Sequence, residues 1–126
     1  MKFTFYIFVL ICLFGLIKAS IPIKKYVSFN ATFYSREETH NNLPASGVRG
    51  STLKEAQRGY GLLQVSVNPN QIPLFSRLNI LLWDQTSVSG IALDVGPTKT
   101  VDIYVDTITE AINLGVKKVM LEITAI

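Results

Sequence analysis

Three aspartates crowd a short and otherwise apolar stretch of the chain: Asp94, Asp102 and Asp106. Burying an ionised carboxylate is costly unless it is paired or protonated, so a carboxylate inside a strand-like segment commonly has a use. One such use is glycoside-bond cleavage, in which a carboxylic acid gives its proton to the leaving sugar oxygen. Asp94 and Asp102 are therefore the candidate catalytic residues.

The spacing of these aspartates separates their roles. Alternation along residues 101–105 places Asp102, Tyr104 and Asp106 on one strand face. Residues four apart on a strand are about 13 Å apart, whereas the two carboxyls of a retaining glycosidase lie ~5–5.5 Å apart. Asp102 and Asp106 are too distant for such a pair. Asp106 instead fits the start of the following helix, where an acid complements the helix dipole.

Asp94 has two interpretations. It ends one strand, and Gly96 and Pro97 turn the chain before Asp102 enters the next. If those strands lie near each other, the two carboxylates meet at one end of the fold, and their repulsion keeps one of them protonated toward neutral pH. Alternatively, Asp94 caps the turn by accepting hydrogen bonds from backbone amides. Spacing alone leaves both interpretations open.

The elements that must position these residues are mostly strands. Period-two alternation or short apolar runs predict strands over residues 27–34, 63–67, 78–83, 87–93, 101–105 and 119–123. Capping boxes at residues 52–55 and 107–110 predict short helices that end at Gly59 and Gly115, and residues 35–49 read as a polar loop. The second helix is expected to present Ile108, Ala111 and Ile112 on one face. The predicted fold class is mainly β, a six-stranded barrel with one or two short helices.

Residues 1–19 are predicted to be a signal peptide, because Lys2 precedes an apolar run that ends before Ala19. The run is shorter than the ~20 residues of a spanning helix, although an uncleaved N-terminal anchor is the alternative. Residues 20–26 would form a linker and residues 27–126 a single secreted domain. Loss of Lys2 and Lys18 lowers the formal net charge from +3 to +1, which gives no sign of nucleic-acid binding. The single cysteine, Cys12, leaves with the signal, so neither disulfide, metal nor cofactor is expected.

The order of short motifs along the domain resembles the 3D (three-aspartate) domain of bacterial cell-wall proteins, as in MltA-type lytic transglycosylases. The matching motifs are ATFYS at 31–35, ASG at 45–47, VNPNQIPL at 67–74, ALDVG at 92–96 and VDIY at 101–104. The segment DVGP at 94–97 is also similar to that of RlpA-type proteins. Both groups share a double-psi β-barrel with expansins, so the resemblance implies that fold.

The resemblance also implies a function, the cleavage of peptidoglycan or another cell-wall polysaccharide. Asp102 matches the third family aspartate and is expected to be the acid/base, and Asp94 matches the second and is its electrostatic partner. Asn68 stands where the family has its first aspartate, and the segment between Asp94 and Asp102 is shorter than usual. Substrate binding is assigned to Asn68, Tyr34, Ser46, Gly47, Gly96 and Tyr104. The alternative function is a non-catalytic, expansin-like module that binds or loosens wall polysaccharide.

Overall fold

Six strands and three short helices make up the part of the chain that the computed structural model describes, residues 25–39 and 42–126. The strands are β1 (Val27–Ser35), β2 (Leu63–Val67), β3 (Arg77–Leu81), β4 (Ser87–Val95), β5 (Thr100–Val105) and β6 (Lys117–Ala125). The helices are α1 (Arg36–Thr39), α2 (Leu53–Gln57) and α3 (Ile108–Leu114). The predicted signal peptide and most of the predicted linker lie outside the described residues.

The strands close into a barrel in the order β1-β5-β2-β4-β3-β6. Two neighbouring pairs are parallel, β1 with β5 and β2 with β4, and the other pairs are antiparallel. The prediction of a mainly β, six-stranded barrel is confirmed. Helix α1 lies in the segment that was predicted to be a loop.

The barrel interior is filled by the apolar residues that alternate along the strands. On β5, Val101, Ile103 and Val105 belong to this core, and on β2 so do Leu63, Val65 and Val67. Burying each such side chain contributes about 1.5–3 kcal/mol.

The outer face of β2 is buried as well, because the chain before α2 lies against it, with the Gly50 amide bonded to Gln64. Helix α2 contacts β2, β4 and β5, and its Leu53 belongs to the barrel core. The candidate site lies on this outer face, where polar side chains are covered by the chain that connects β1 to β2.

Both predicted capping boxes start helices, and the first has both of its hydrogen bonds. The side chain of Thr52 accepts from the amide of Glu55, and Glu55 Oε1 accepts from the amide of Thr52 at 3.0 Å. Glu55 also pairs with Arg36, which ties α2 to α1. Such a cap stabilises a helix by about 1 kcal/mol. The five-residue helix α2 is therefore held in a fixed position relative to α1.

Helix α3 begins and ends as predicted but buries a different face. Thr107 accepts from the amide of Glu110 at 3.1 Å, and Gly115 follows the last helical residue with a φ of 63°. Ala111 and Leu114 pack against the core, whereas Ile112 is 73% exposed. Of the three residues that were expected to share one face, Ala111 packs against the core, whereas Ile108 and Ile112 are exposed.

Gly90 is expected to be the glycine least tolerant of substitution in the barrel. A Cβ there would lie 2.8 Å from Ile80 Cδ1 and 3.1 Å from the carbonyl oxygen of Leu63, both in the packed interior. Gly90→Ala should lower the free energy of unfolding by about 1–3 kcal/mol in denaturant titrations. Gly96→Ala is the matched control, because its Cβ would meet nothing closer than 3.4 Å. Equal stabilities of the two variants would contradict this packing.

Candidate functional site

The two candidate aspartates flank one residue of the central strand. Ser66 of β2 pairs with Asp94 of β4 on one side and with Asp102 of β5 on the other. Asp102 pairs in turn with Thr32 of β1, so these four residues form one row across the barrel. Neighbouring strands lie ~4.8 Å apart, which puts the Cα atoms of Asp94 and Asp102 about 10 Å apart. The strands of the two aspartates thus lie near each other, with β2 between them.

An irregularity in β4 brings Asp94 into this row. The pairing of β2 with β4 shifts between Val65 and Ser66, so that Val65 lies opposite Ala92 but Ser66 lies opposite Asp94. Leu93 is the extra residue, and it is buried like Ala92 before it. A bulge of this kind re-aims the side chains that follow it. Without it, the alternation of β4 would place Leu93 rather than Asp94 beside Ser66.

Asp102 is a half-buried carboxyl with one hydrogen-bond donor. Thr32 Oγ1 donates to Asp102 Oδ1 at 3.1 Å. Burial raises the pKa of Asp102 above its ordinary value, and the negative charges of Glu38 and Asp94 add to that rise. The hydrogen bond from Thr32 works in the opposite direction but does not cancel the rise in pKa. The site therefore shifts the titration of Asp102 toward higher pH, in the direction that a general acid requires.

Asp94 holds backbone amides, as the capping interpretation predicts. Its Oδ1 accepts from the amide of Val95 and from the amide of Ala45, each at 2.9 Å. The second bond reaches across the fold to the chain that covers the site. A further backbone bond, from the Ser46 amide to the carbonyl of Leu93 at 3.0 Å, holds the same segment against β4. The carboxylate of Asp94 thus holds this segment, residues 42–50, which we call the covering loop. It also adds charge near Asp102.

Ser46 and Gly47 shape the loop next to Asp94. Ser46 Oγ accepts from the amide of Val48 at 3.2 Å, and Gly47 adopts a φ of 78°, a backbone conformation that favours glycine. The amide of Gly47 donates to the carbonyl of Pro44 at 2.8 Å, which closes the turn. The structure therefore places these two predicted binding residues beside the site, in a turn whose shape depends on them.

Tyr34 and Tyr104 form a second group, two residues beyond Thr32 on β1 and Asp102 on β5. They pair between β1 and β5, and their ring centroids are 5.2 Å apart. Gln64 Nε2 donates to Tyr34 Oη at 2.7 Å, and Gln64 Oε1 accepts from the amide of Gly50 at 2.8 Å. A Cβ on Gly50 would lie 2.9 Å from Gln64 Cβ, so glycine is what lets the covering chain pass this close. Buried Gln64 thereby links the tyrosine pair to the covering loop.

Ionisation of the Tyr34 hydroxyl is expected to lower the free energy of unfolding at alkaline pH. Burial raises the pKa of Tyr34 to about 12, although its hydrogen bonds with Ser66 and Gln64 act to lower it. Because the fold favours the neutral phenol, this contribution to stability is complete below the unfolded pKa of ~10 and is lost as pH rises toward the folded value. Unfolding curves of the parent at pH values across that interval should show the loss. Tyr34→Phe should reduce the slope, and an unchanged slope would contradict the assignment.

A small cavity of ≈ 80 Å³ lies between the tyrosines, Asp94 and the covering loop. Its lining residues are Tyr34, Thr39, Asn42, Leu43, Pro44, Arg49, Gln64, Asp94 and Tyr104. Tyr104 is fully buried, and its hydroxyl is closed off from solvent. The guanidinium of Arg36 lies against the same ring, with Cζ 5.8 Å from the ring centroid. Asp102 does not line this cavity. The site therefore has two parts, the aspartate row and the cavity beside the tyrosine pair, and Asp94 belongs to both.

Asn68 and Gly96 lie at the strand ends beyond the aspartate row. Asn68 Nδ2 donates to Thr98 Oγ1 at 2.8 Å, and its Oδ1 accepts from the amide of Asn70 at 2.9 Å. Asn68 thus organises the turn between β4 and β5 and does not line the cavity. The amide of Gly96 donates to the carbonyl of Val67 at 2.8 Å, and its Cα side lies against Ser66. Gly96 therefore lies next to Ser66 of the aspartate row.

Sequence reasoning overlooked several residues that the structure places in the site. Thr32 bonds Asp102, Gln64 bonds Tyr34, and Ser66 separates the two aspartates. All three are polar positions of alternating strands, on the same faces as Tyr34 and Tyr104. Polar residues on the outer face of a strand normally meet solvent, so alternation alone gave no reason to select them. Glu38 was missed because its segment was predicted to be a loop.

Comparison with known proteins gives no relative: no family model and no curated protein matches the chain. Within residues 25–39 and 42–126, no three His, Cys, Asp or Glu side chains cluster in a way that would hold a metal ion. In the same part of the chain no helix has the length and apolar character needed to cross a membrane.

Proposed function

We propose that the protein is a secreted, single-domain enzyme that cleaves glycan strands of a cell wall in the manner of a lytic transglycosylase, with Asp102 as its general acid/base. The observation that carries the proposal is the environment of Asp102. Burial and the charges of Glu38 and Asp94 raise its pKa, while Thr32 orients the carboxyl. A general acid works best when its pKa approaches the working pH.

The chemistry needs one carboxyl group that gives and then takes a proton. Protonated Asp102 gives its proton to the glycosidic oxygen as the bond from that oxygen to the sugar C1 breaks. The resulting carboxylate then accepts the proton of the C6 hydroxyl, whose oxygen bonds to C1 of the same sugar. The product is an anhydro sugar, no water is consumed, and Asp102 returns to its protonated form.

The arrangement favours a single acid over a pair of catalytic carboxylates. Asp94 lies across β2 from Asp102, about 10 Å away by strand spacing, whereas retaining enzymes need ~5–5.5 Å between carboxyls. Its Oδ1 is committed to the amides of Ala45 and Val95. Asp94 therefore serves as an electrostatic partner: after burial and Glu38, its charge adds to the rise in the pKa of Asp102 and opposes the charge left when Asp102 gives up its proton.

The substrate class and the barrel type follow from the motif resemblance, with support from topology. Two parallel pairings, β1 with β5 and β2 with β4, are separated by the antiparallel pairing of β5 with β2, and the other pairings of the barrel are antiparallel. We infer that the barrel is of the double-psi type and that peptidoglycan is the substrate. Tyr34, Ser46, Gly47 and Gly96 lie around the aspartate row and would contact the glycan, whereas Tyr104 is fully buried and packs against Tyr34.

Product analysis tests this proposal. Purified peptidoglycan is incubated with the protein, and the soluble fragments are identified by mass spectrometry. Anhydro-muropeptides are expected. Fragments with free reducing ends would contradict the transglycosylase step and indicate hydrolysis, and absence of both would contradict catalysis.

A second candidate function is non-catalytic binding of wall polysaccharide, as in expansins. It is favoured by one observation: Asn68 and Asp94, two of the three positions that match the family aspartates, are both engaged in holding turns. This function predicts saturable binding to insoluble polysaccharide that is unchanged in Asp102→Asn, without release of fragments. A binding assay by sedimentation distinguishes the two functions, since the enzyme must release fragments from the pellet.

A further inference from the structure

A cleft of ≈ 360 Å³ lies where β1 extends beyond its neighbour β5. Strand β1 begins at Val27, but its pairing with β5 begins only at Asn30, which lies opposite Thr100. Residues 27–29 therefore have no residue of β5 beside them, so that side of β1 is open to the cleft. The lysine cleft, as we call it, is lined by residues 27–30, Gln71, Lys99 and Lys118. It shares no lining residue with the cavity of ≈ 80 Å³ beside the tyrosine pair.

Both charged residues that line the lysine cleft are positive. Lys99 comes from the turn before β5, and Lys118 comes from β6. Asn30 lies between them in the sheet, because it pairs with Lys118 on one side and with Thr100, the residue after Lys99, on the other. Within residues 25–39 and 42–126, no ion pair joins either ammonium group to a carboxylate. Charges of one sign that line a cleft reinforce each other's potential, so this cleft attracts anions.

Lys99 stands at a position where glycine is the usual residue. Its φ is 64°, in the left-handed region that residues with a side chain seldom adopt. The amide of Lys99 donates to Gln71 Oε1 at 2.9 Å, which holds the turn against the loop after β2. Because this bond uses the oxygen of the Gln71 amide, its Nε2 is left to donate elsewhere. The turn thus contributes an ammonium group and an amide donor to one cleft.

We propose that the lysine cleft binds the anionic group, a carboxylate or a phosphate, of a ligand of about the size of one sugar unit. The anionic oxygens lie between the ammonium groups of Lys99 and Lys118, and the side-chain amides of Gln71 and Asn30 donate further hydrogen bonds. Hydrogen bonds to a charged acceptor are stronger than those between neutral groups. The inference goes beyond the proposed function and does not depend on cleavage by Asp102.

The size and the remaining lining of the cleft indicate a ligand larger than a free inorganic anion. A volume of ≈ 360 Å³ has room for roughly twelve water molecules, more than a carboxylate or a phosphate group occupies. Val27 and Phe29 supply apolar surface, and Ser28 supplies a hydroxyl between them. Apolar surface beside polar groups suits a sugar ring, which has both C–H faces and hydroxyls. The charged group is therefore expected to lie at the lysines and the ring along residues 27–29.

An NMR titration of the isotope-labelled full chain with three related sugars tests the proposal. Glucose, glucuronate and glucose 6-phosphate share one ring and carry a hydroxyl, a carboxylate and a phosphate at the same end. We expect the two anions to shift the amide signals of residues 27–30, Gln71, Lys99 and Lys118, and glucose to leave them in place. The anion with the lower Kd identifies the group that the cleft prefers. Higher ionic strength should weaken its binding, because the lysine charges are screened by salt.

Lysine variants show whether the two ammonium groups hold the anion. Lys99→Gln and Lys118→Gln each keep a long polar side chain, and each should weaken binding of the preferred anion about 2- to 5-fold. Lys54→Gln is the matched control, because it removes the same charge from a residue that does not line the cleft, and it should bind like the parent. Thermal unfolding of all three variants checks that they are folded.

Three outcomes would overturn the lysine cleft as an anion site. They are the absence of shifts with both anions, equal shifts with glucose, and unchanged affinity in both Lys99→Gln and Lys118→Gln. Fragment release from peptidoglycan tests the proposed function separately, since neither lysine belongs to the aspartate row.

Discussion

Replacing Asp102 by Asn is expected to lower the rate of glycan cleavage by about 10²–10⁴-fold while the barrel stays folded. Asn has the shape of Asp and still accepts the hydrogen bond from Thr32, which Asp102 receives at 3.1 Å. It carries no proton that it can give to a glycosidic oxygen. The rate of fragment release from peptidoglycan at fixed enzyme concentration measures the effect.

The same substitution should leave the protein at least as stable as the parent at neutral pH. The pKa of Asp102 is raised in the fold by burial first of all, so the fold favours the neutral form. The stability that this group contributes is fully present below its unfolded pKa of ~3.9 and is lost as pH rises through the folded value. Asn stays neutral and avoids that loss, so the advantage of Asp102→Asn should disappear in unfolding curves recorded at acid pH.

Asp106→Asn is the matched control for Asp102→Asn. Asp106 directly follows β5 and precedes the N-cap of α3, away from the aspartate row. It should keep full cleavage activity. A folded Asp102→Asn protein that still releases fragments at the parent rate would contradict the role assigned to this carboxyl.

Replacing Asp94 by Ala is expected to have the largest effect on stability of the changes in the site. Asp94 Oδ1 accepts from the amides of Ala45 and Val95, so Ala leaves two donors without their acceptor. Hydrogen bonds to a charged group contribute about 1.5–3 kcal/mol each, of which solvent at this partly exposed site recovers a share, so we expect a total loss of about 2–3 kcal/mol. Denaturant titration measures it, and hydrogen exchange should show faster exchange at the Ala45 amide.

Asp94→Asn separates the structural and the electrostatic role of the same residue. Asn keeps an oxygen that accepts from both amides but removes the charge. Stability should fall by less than in Asp94→Ala. The pKa of Asp102 should fall, because the charge of Asp94 helps to raise it, and the alkaline limb of the pH–rate profile should move to lower pH. Equal stability of the Ala and Asn variants would show that Asp94 does not hold the covering loop.

The barrel could be predicted because its strands carry clear local signals. The alternation at residues 63–67 and 101–105 corresponds to β2 and β5, whose apolar residues fill the interior. The capping boxes at Thr52 and Thr107 likewise start α2 and α3. These signals depend on neighbouring residues alone, which is why a single sequence contains them.

The parts that could not be predicted depend on contacts between distant segments. Alternation places Tyr104 and Gln64 on an outer face, where exposure is the default. Both are buried, because Gly50 passes close to Gln64 and because Tyr34 and Arg36 lie against the ring of Tyr104. The bulge at Leu93 depends on the pairing of β4 with β2, and it decides that Asp94 joins the row. The face that α3 buries depends on its contacts with β1 and β5. None of these contacts leaves a local pattern.

For the candidate site, the residues could be selected from the sequence, but the role of each could not. Asp94 and Asp102 were selected together. Asp94 holds backbone amides, as the capping interpretation predicts, and its charge is the smallest of the contributions to the pKa of Asp102. Asn68 was expected to bind substrate in place of an aspartate, whereas its side chain bonds Thr98 in the turn between β4 and β5. A side chain of this size has several partners within reach, and only the fold selects among them.

The central claim is that Asp102 gives and takes the proton in glycan cleavage. The most direct test is mass spectrometry of purified peptidoglycan after incubation with the parent, with Asp102→Asn and with Asp106→Asn, each shown to be folded. The account predicts anhydro-muropeptides from the parent and from Asp106→Asn, and none from Asp102→Asn. Anhydro-muropeptides from folded Asp102→Asn, or none from the folded parent, would contradict it.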